Sequence, residues 1–268
     1  MNRRSLMAAG LASLALPAVR PASAAGELSA HDMMQKNFFV SKIRAFKTTG
    51  RMVLLTDRGE RRERKNTTFS ALQPNGVDSK LLVKFTYPTD INGTAFLQIE
   101  HIEGDDDQWI YLPALGKSRR LVANNKKDSF VGSDFSYGDI SLPNVDLYEH
   151  RLLGSEAIGG KDCYKIESTP KSAVTRDNSG YSRKITWLRK ENFVESKVEY
   201  YDLAGRLLKV QTIGEAKLLE PDKGRWVALH REMSNLQTGH KTIIDFDEVS
   251  LAPSLSPELF TTHNLERG

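Results

Sequence analysis

The sequence lacks most of the features that announce a catalytic or metal centre. It has one cysteine, Cys163, in 268 residues. No intramolecular disulfide can form, so a hydrophobic core must hold the fold together. The six histidines are His31, His101, His150, His230, His240 and His263. None stands in a His-Glu-x-x-His helix and no two are four apart, so the commonest zinc spacing is missing. No serine occupies a Gly-x-Ser-x-Gly elbow. Leu115-Gly-Lys-Ser118 resembles only the end of a phosphate-binding loop. Tyr111 stands where that loop needs its first glycine, and Arg119 to Val122 reads as a strand rather than a helix. Asp105, Asp106 and Asp107 could ligate a hard cation, but they fall where a hairpin turn is expected. No catalytic residue, metal site or cofactor is therefore assigned, although a dispersed Ser-His-Asp set leaves no trace in a sequence. His101 and His230 read as strand residues.

No apolar run approaches the roughly 20 residues of a membrane-spanning helix. Leu6 to Val19 is shorter and is broken by Pro17. With Arg3 and Arg4 before it and Ala22-Ser23-Ala24 after it, the run reads as a secretory signal peptide cleaved after Ala24. The adjacent arginines fit the twin-arginine route as well as the general one. Residues 1–24 are thus a signal peptide and residues 25–268 a single domain, expected in the periplasm. Residues 1–24 carry three arginines and no acid, so the formal charge of +4 falls to +1 on cleavage. A nearly neutral chain gives no electrostatic case for nucleic acid. Cys163 lies far from the cleavage point, so no lipid anchor is expected there. It alternates with Tyr164 and Ile166 as a strand residue does.

What the sequence does have is a period of two. Leu81, Val83, Phe85 and Tyr87 share one strand face. Val194, Ser196, Val198 and Tyr200 oppose Glu195, Lys197, Glu199 and Tyr201. Leu208, Val210 and Thr212 alternate with Lys209 and Gln211, and Thr242, Ile244 and Phe246 with Lys241, Asp245 and Asp247. Each pattern predicts a half-buried antiparallel strand with its charged face in water. Turn signals such as Asp57-Arg-Gly59, Asn92-Gly93, Ala204-Gly205 and Thr238-Gly239 punctuate the strands about every 10 to 15 residues. A helix is expected over about Ser29 to Arg44, and a short one begins at Ser256-Pro257 with proline at its first position. The alternation breaks from Asn124 to Glu149, where a helical turn over Asp134 to Tyr137 capped by Ser133 is expected.

Aromatic residues gather around that break. Trp109 and Tyr111 fall on one strand face, and Phe130, Phe135 and Tyr137 follow in the irregular segment. Trp187 follows Ile185 on one face of another strand. Arg119 and Arg120, with Lys126 and Lys127, form a basic cluster beside the aromatic stretch, suited to a phosphate or carboxylate headgroup. The other basic cluster, Arg58, Arg61, Arg62, Arg64 and Lys65, is interleaved with Glu60 and Glu63 and reads as a solvated hairpin.

Trp109-Ile-Tyr-Leu-Pro113, Lys117-Ser-Arg-Arg-Leu121 and Ser129-Phe-Val-Gly-Ser-Asp-Phe-Ser-Tyr137 together resemble the outer-membrane lipoprotein-sorting protein family. That family is a branch of the LolA/LolB-like superfamily. Leu152-Leu-Gly154, Gly160-Lys-Asp-Cys-Tyr164 and Tyr201-Asp-Leu-Ala-Gly-Arg-Leu-Leu-Lys209 add to the resemblance. It implies a mainly β, unclosed antiparallel barrel of about eleven strands with helices plugging the concave face. It also implies a non-enzymatic periplasmic carrier for lipid or lipoprotein acyl chains, in lipoprotein sorting or lipid export. Trp109, Tyr111, Phe130, Phe135, Tyr137, Trp187, Val198 and Tyr200 would then line the cavity, with Arg119 and Arg120 as a headgroup or partner patch and residues 124–149 as a mobile lid. An inner-membrane exporter is an expected partner, with transient contact at a membrane surface. The alternatives are an accessory subunit of such an exporter, acting by protein contacts around a filled core, and a secreted hydrolase.

Overall fold

A computed structural model describes residues 28–122, 126–142 and 144–267. The expected signal peptide, and Asn124 at the start of the irregular segment, lie outside them. The first helix, α1, spans Ala30–Val40. Ser29 caps it: its hydroxyl accepts from the Asp32 amide at 3.1 Å, and the Asp32 carboxylate accepts from the Ser29 amide at 3.3 Å. This reciprocal box fixes the start. The helix stops short of the expected Arg44. Lys42 instead turns inward to the Glu100 carboxylate at 2.5 Å.

Fifteen strands follow among the described residues: β1 Ala45–Leu55, β2 Arg61–Leu72, β3 Ser79–Tyr87, β4 Ala95–Ile99, β5 Asp107–Leu112, β6 Lys117–Leu121, β7 Tyr148–Ile158, β8 Lys161–Pro170, β9 Arg183–Arg189, β10 Glu195–Tyr201, β11 Leu207–Ile213, β12 Ala216–Glu220, β13 Arg225–Ala228, β14 His230–Asn235 and β15 Lys241–Leu251. Thirteen form one antiparallel sheet in the order β6-β5-β4-β3-β2-β1-β15-β14-β11-β10-β9-β8-β7, and β12 and β13 make a separate ribbon. The fold class is as expected, an open antiparallel sheet with few helices, but about eleven strands was too few. Strands β4, β6, β12 and β13 are four or five residues long and are lost between turn signals spaced for longer hairpins.

The strand order dictates the rest. The chain enters at mid-sheet with β1, steps outward to the β6 edge, resumes at the opposite edge with β7, and steps back until β15 pairs with β1. The segment between Leu121 and Tyr148 must therefore run from one edge of the sheet to the other. Where β1 and β15 close this circuit the register slips between Thr49 and Gly50. A Cβ on Gly50 would lie 2.4 Å from the Asp245 carbonyl, so only glycine allows the strands to approach there.

A sheet this wide curls, and its inner face carries the largest core cluster. Met52, Val83, Phe85, Phe96, Ile110, Val198, Tyr200, Ile213 and Met233 pack there with Phe130, Phe135 and Tyr137 of the crossing segment. The tail of the chain covers part of the outer face, where Phe260 and Leu265 pack on Leu82, Ala95 and Leu97. Phe260 ends a short helix over Pro257–Phe260 with proline in its first turn, as expected.

The crossing segment is pinned at several strands. A short helix, α2, spans Tyr137–Ile140 and is capped by Ser136 rather than by Ser133. A capping box needs a carboxylate three residues on, and Asp139 stands three after Ser136. The Asp139 carboxylate accepts from the Ser136 amide at 2.8 Å, from the Tyr181 hydroxyl at 3.0 Å and from the Lys209 ammonium at 2.6 Å. Upstream, Thr242 of β15 donates to the Asp134 carboxylate at 2.7 Å, and the Arg64 guanidinium donates to the Val131 carbonyl. Downstream, the Ser141 hydroxyl joins Gln98 of β4 and Gln108 of β5 at 2.9 and 3.0 Å. The aromatic part of the segment expected as a mobile lid is a plug tied to the sheet by these bonds.

The Asp139 carboxylate is fully buried beside a Lys209 ammonium that is 6% exposed. Burial pushes this carboxyl up, but Lys209, Lys184 and the hydrogen bonds outweigh it and hold the group below its ordinary range. Removing one partner of such a pair leaves the other charge buried, at a cost of about 3–5 kcal/mol. Lys209→Met and Asp139→Asn should each lower the urea midpoint accordingly. A carboxylate with a depressed folded value stabilises the protein above its ordinary 3.8 and loses that contribution as pH falls through the folded value. Urea titrations between pH 6 and roughly pH 2 should show this loss in the wild type and a shallower one in Asp139→Asn.

Candidate functional site

The plug fills only part of the space above the inner face. Three adjoining chambers remain between it, α1, the β12–β13 ribbon and the sheet, and all three touch Ser141 and Leu142. The first, about 110 Å³, lies under α1 against β9, β10 and β11, where Phe38, Val198, Tyr200 and Ile213 line it. The second, about 500 Å³, opens between the turn at 101–106 and the helix α3 (Ala173–Ser179). The third, about 200 Å³, lies under the ribbon against β1, β2, β3 and β15, where Met52, Val83, Phe130 and Phe135 line it. Together they fall within the roughly 300–1,000 Å³ of small-molecule pockets.

The structure divides the expected cavity residues between the two faces. Phe130, Phe135, Tyr137, Val198 and Tyr200 lie in the inner cluster. Trp109 and Tyr111 do not: they pack on the outer face beside Phe260 and Leu265. Trp187 is also outward, buried with Cys163 and Ile185, and its indole donates to Glu156 at 3.0 Å. Alternation correctly paired Trp109 with Tyr111 and Trp187 with Ile185. It assigned the wrong face because the outer side of this sheet buries large side chains too. The remaining tryptophan, Trp226 of β13, lines the first and third chambers. Arg119 and Arg120 are likewise separated. As neighbours in β6 they pair with Ile110 and Trp109, which face opposite ways, and Arg120 is held by Asp107. They do not form one patch on the cavity.

Sequence reading missed the polar part of the site. In β11 the buried positions are Lys209, Gln211 and Ile213, while Thr212 is exposed, the reverse of the expected alternation. Register explains it. Tyr200 sits opposite Lys184 and Lys209, and Val198 sits opposite Thr186 and Gln211. Once Val198 and Tyr200 turn inward, their cross-strand partners must follow. A bulge at the start of β10 turns Glu195 into the first chamber as well.

These inward groups are unequally satisfied. Lys209 has Asp139. Gln211 accepts from the Tyr200 hydroxyl at 2.7 Å, but its amide nitrogen has no partner. Lys184 lies about 5 Å from the ring centres of Tyr181 and Tyr200, and neither it nor Arg231 has a carboxylate within 4.0 Å among the described residues. Burial pushes the Lys184 ammonium down and the Glu195 carboxyl up.

His150 and Ser168 also line the first chamber, with His150 Nδ1 at 2.8 Å from the Ser168 hydroxyl. The other ring nitrogen lies 3.0 Å from the Val145 carbonyl. A carbonyl can only accept, so Nε2 carries the proton and Nδ1 accepts from Ser168. Among the described residues no carboxylate is hydrogen-bonded to this histidine as in a hydrolytic triad. His230 does begin a strand, but His101 lies in the turn after β4, bound to Asp107 at 3.1 Å. The hairpin turn falls at 102–104, just before the expected Asp105 to Asp107; Asp105 and Asp106 pair with Lys126, and Asp107 begins β5.

A family model described as that of an uncharacterized protein matches residues 77–267. No curated protein matches the sequence. Among solved structures, a domain from Vibrio parahaemolyticus named for outer membrane lipoprotein sorting is 32% identical, with a TM-score of 0.81 over 89% of this chain and 98% of that one. A DUF1329 family protein from Desulfovibrio piger is 30% identical, with a TM-score of 0.80 over 88% and 97%. A LolA superfamily protein from Nitrosomonas europaea, 20% identical with a TM-score of 0.67 over 88% and 98%, shares the fold. The curled open sheet, its plugged inner face and these likenesses over nearly the whole described chain agree, and the chain belongs to the outer-membrane lipoprotein-sorting protein family.

Proposed function

We propose that this protein is a periplasmic carrier that shelters the acyl chains of a lipid or lipoprotein in the chambers above the inner face, without catalysing a reaction. The observation that carries this reading is the incomplete filling of that face. A structural core is packed to the density of an organic crystal, whereas here three chambers adjoin beneath a segment that crosses the whole sheet. Each methylene moved into such a space contributes about 0.8 kcal/mol, so affinity needs no covalent step. The name of the Vibrio parahaemolyticus relative, which refers to lipoprotein sorting, and the LolA-like fold support the same reading. Export through the signal peptide, brief contact with a membrane surface and handoff to or from an inner-membrane exporter belong to the proposal.

Protein purified from the periplasm should begin at Ala25 and carry lipid in native mass spectra. Bare protein alone, with no uptake of a fluorescent fatty acid, overturns the carrier reading. Trp226 gives a second test, because it alone of the three tryptophans lines the chambers. Lipid binding should shift the tryptophan emission of the wild type and of Trp109→Phe alike. The shift should vanish in Trp226→Phe. A shift that survives there places the ligand elsewhere.

A further inference from the structure

The first chamber is not uniformly apolar, and its polar groups point to the chemistry of the cargo. Among the described residues, three side chains on its sheet wall can donate and have no acceptor. The Lys184 ammonium has no hydrogen bond or ion pair among them, only the faces of Tyr181 and Tyr200. The Arg231 guanidinium lines the same chamber, likewise without a carboxylate within 4.0 Å among the described residues. Gln211 is 2% exposed, and its amide nitrogen lacks an acceptor. The Gln211 nitrogen is buried, and a buried donor without a partner is costly, while Lys184 and Arg231 are half-buried and open into the chamber.

The protein's own carboxylates do not answer them. Asp139 acts electrostatically on Lys184, but its oxygens are occupied by Lys209, Tyr181 and the Ser136 amide. Glu195 faces the chamber between Lys184 and Arg231 without bonding to either. With Asp139 and Lys209 cancelling, one Glu195 stands against two cations.

We propose that Lys184 and Arg231, with the Gln211 amide, hold the anionic headgroup of an amphiphile inside the concavity. The cargo is then an anionic lipid bearing a carboxylate or a phosphate. The acyl groups of a lipoprotein are joined through neutral ester and amide links, whose carbonyls accept hydrogen bonds but bring no negative charge to the two cations. This inference rests on the carrier reading and narrows it. The headgroup lies on the wall formed by β9, β10, β11 and β14, and the chains extend under Leu142 and Trp226 into the third chamber, which shares both residues with the first.

The test uses delipidated mature protein and three ligands of equal chain length: oleate, oleoyl lysophosphatidate and methyl oleate. Affinities are read by displacement of a neutral fluorescent probe. At least one anionic ligand should bind about tenfold or more tighter than methyl oleate, the size of one charge-assisted hydrogen bond. Whether oleate or lysophosphatidate shows the preference identifies the carboxylate or the phosphate as the source. Lys184→Met and Arg231→Met should each remove most of that preference and leave methyl oleate binding unchanged. The wild-type ratio stands as evidence even if a variant fails to fold. Equal binding of all three ligands overturns the headgroup site and leaves the carrier. A preference that survives in both folded variants overturns the assignment to Lys184 and Arg231. Binding of none overturns the carrier reading and this inference with it.

Discussion

The arrangement of the molecule depends on one buried carboxylate. Strand order forces the segment after β6 to travel across the whole sheet, and such a segment has no ladder partners to hold it. Asp139 supplies them. It closes the cap of α2, accepts from Tyr181 just before β9, and pairs with Lys209 of β11. A carboxylate with no exposure is tolerable only because every approach to it is a donor. By fixing α2 it also fixes where the aromatic plug ends, because Phe130, Phe135 and Tyr137 lie just upstream and Ser141 and Leu142, which touch all three chambers, lie just downstream.

Much of this was legible in the amino-acid sequence, and the rest was illegible for a definite reason. Alternation located the long strands and the inward sets Val83 and Phe85, Val198 and Tyr200, and Thr242 and Ile244. The turn residues, the proline at the start of the last helix and the break in the pattern before β7 were also plain. Alternation gives two faces, however, and does not say which looks inward when both are covered. Trp109, Tyr111 and Trp187 were therefore placed in the cavity, because a large aromatic side chain suggests an interior. Over Trp109 and Tyr111 the outer face has its own covering, supplied by Phe260 and Leu265 from the end of the chain, and over Trp187 the Lys165 and Lys197 side chains lie across the ring; no local pattern announces the long-range contact.

Lys184, Lys209, Gln211 and Arg231 were lost for the complementary reason. A charged or amide residue in an alternating strand is assigned to water by default. Only the register, Tyr200 opposite Lys184 and Lys209, carries them inside. For Lys209 the structure contains the compensation, a carboxylate at 2.6 Å delivered from a segment 70 residues away in sequence. That pairing cannot be read from either strand alone.

Lys184 lacks that compensation, and the difference between the two lysines separates a carrier from a filled scaffold. A core that serves only to hold the fold gains nothing by keeping Lys184, Arg231 and an unbonded Gln211 amide on one wall, because apolar residues of similar volume would fill the space at lower cost. On the proposed reading, groups left unanswered by protein atoms are answered by something that enters the chamber. Water can serve when the chamber is empty, since it needs only a few polar partners and room. A cargo that brings its own acceptor displaces that water and gains the bonds the wall offers, while its chain takes up the apolar space beyond. Unpaired donors next to unfilled apolar volume match, in the wall itself, the two halves of an amphiphile.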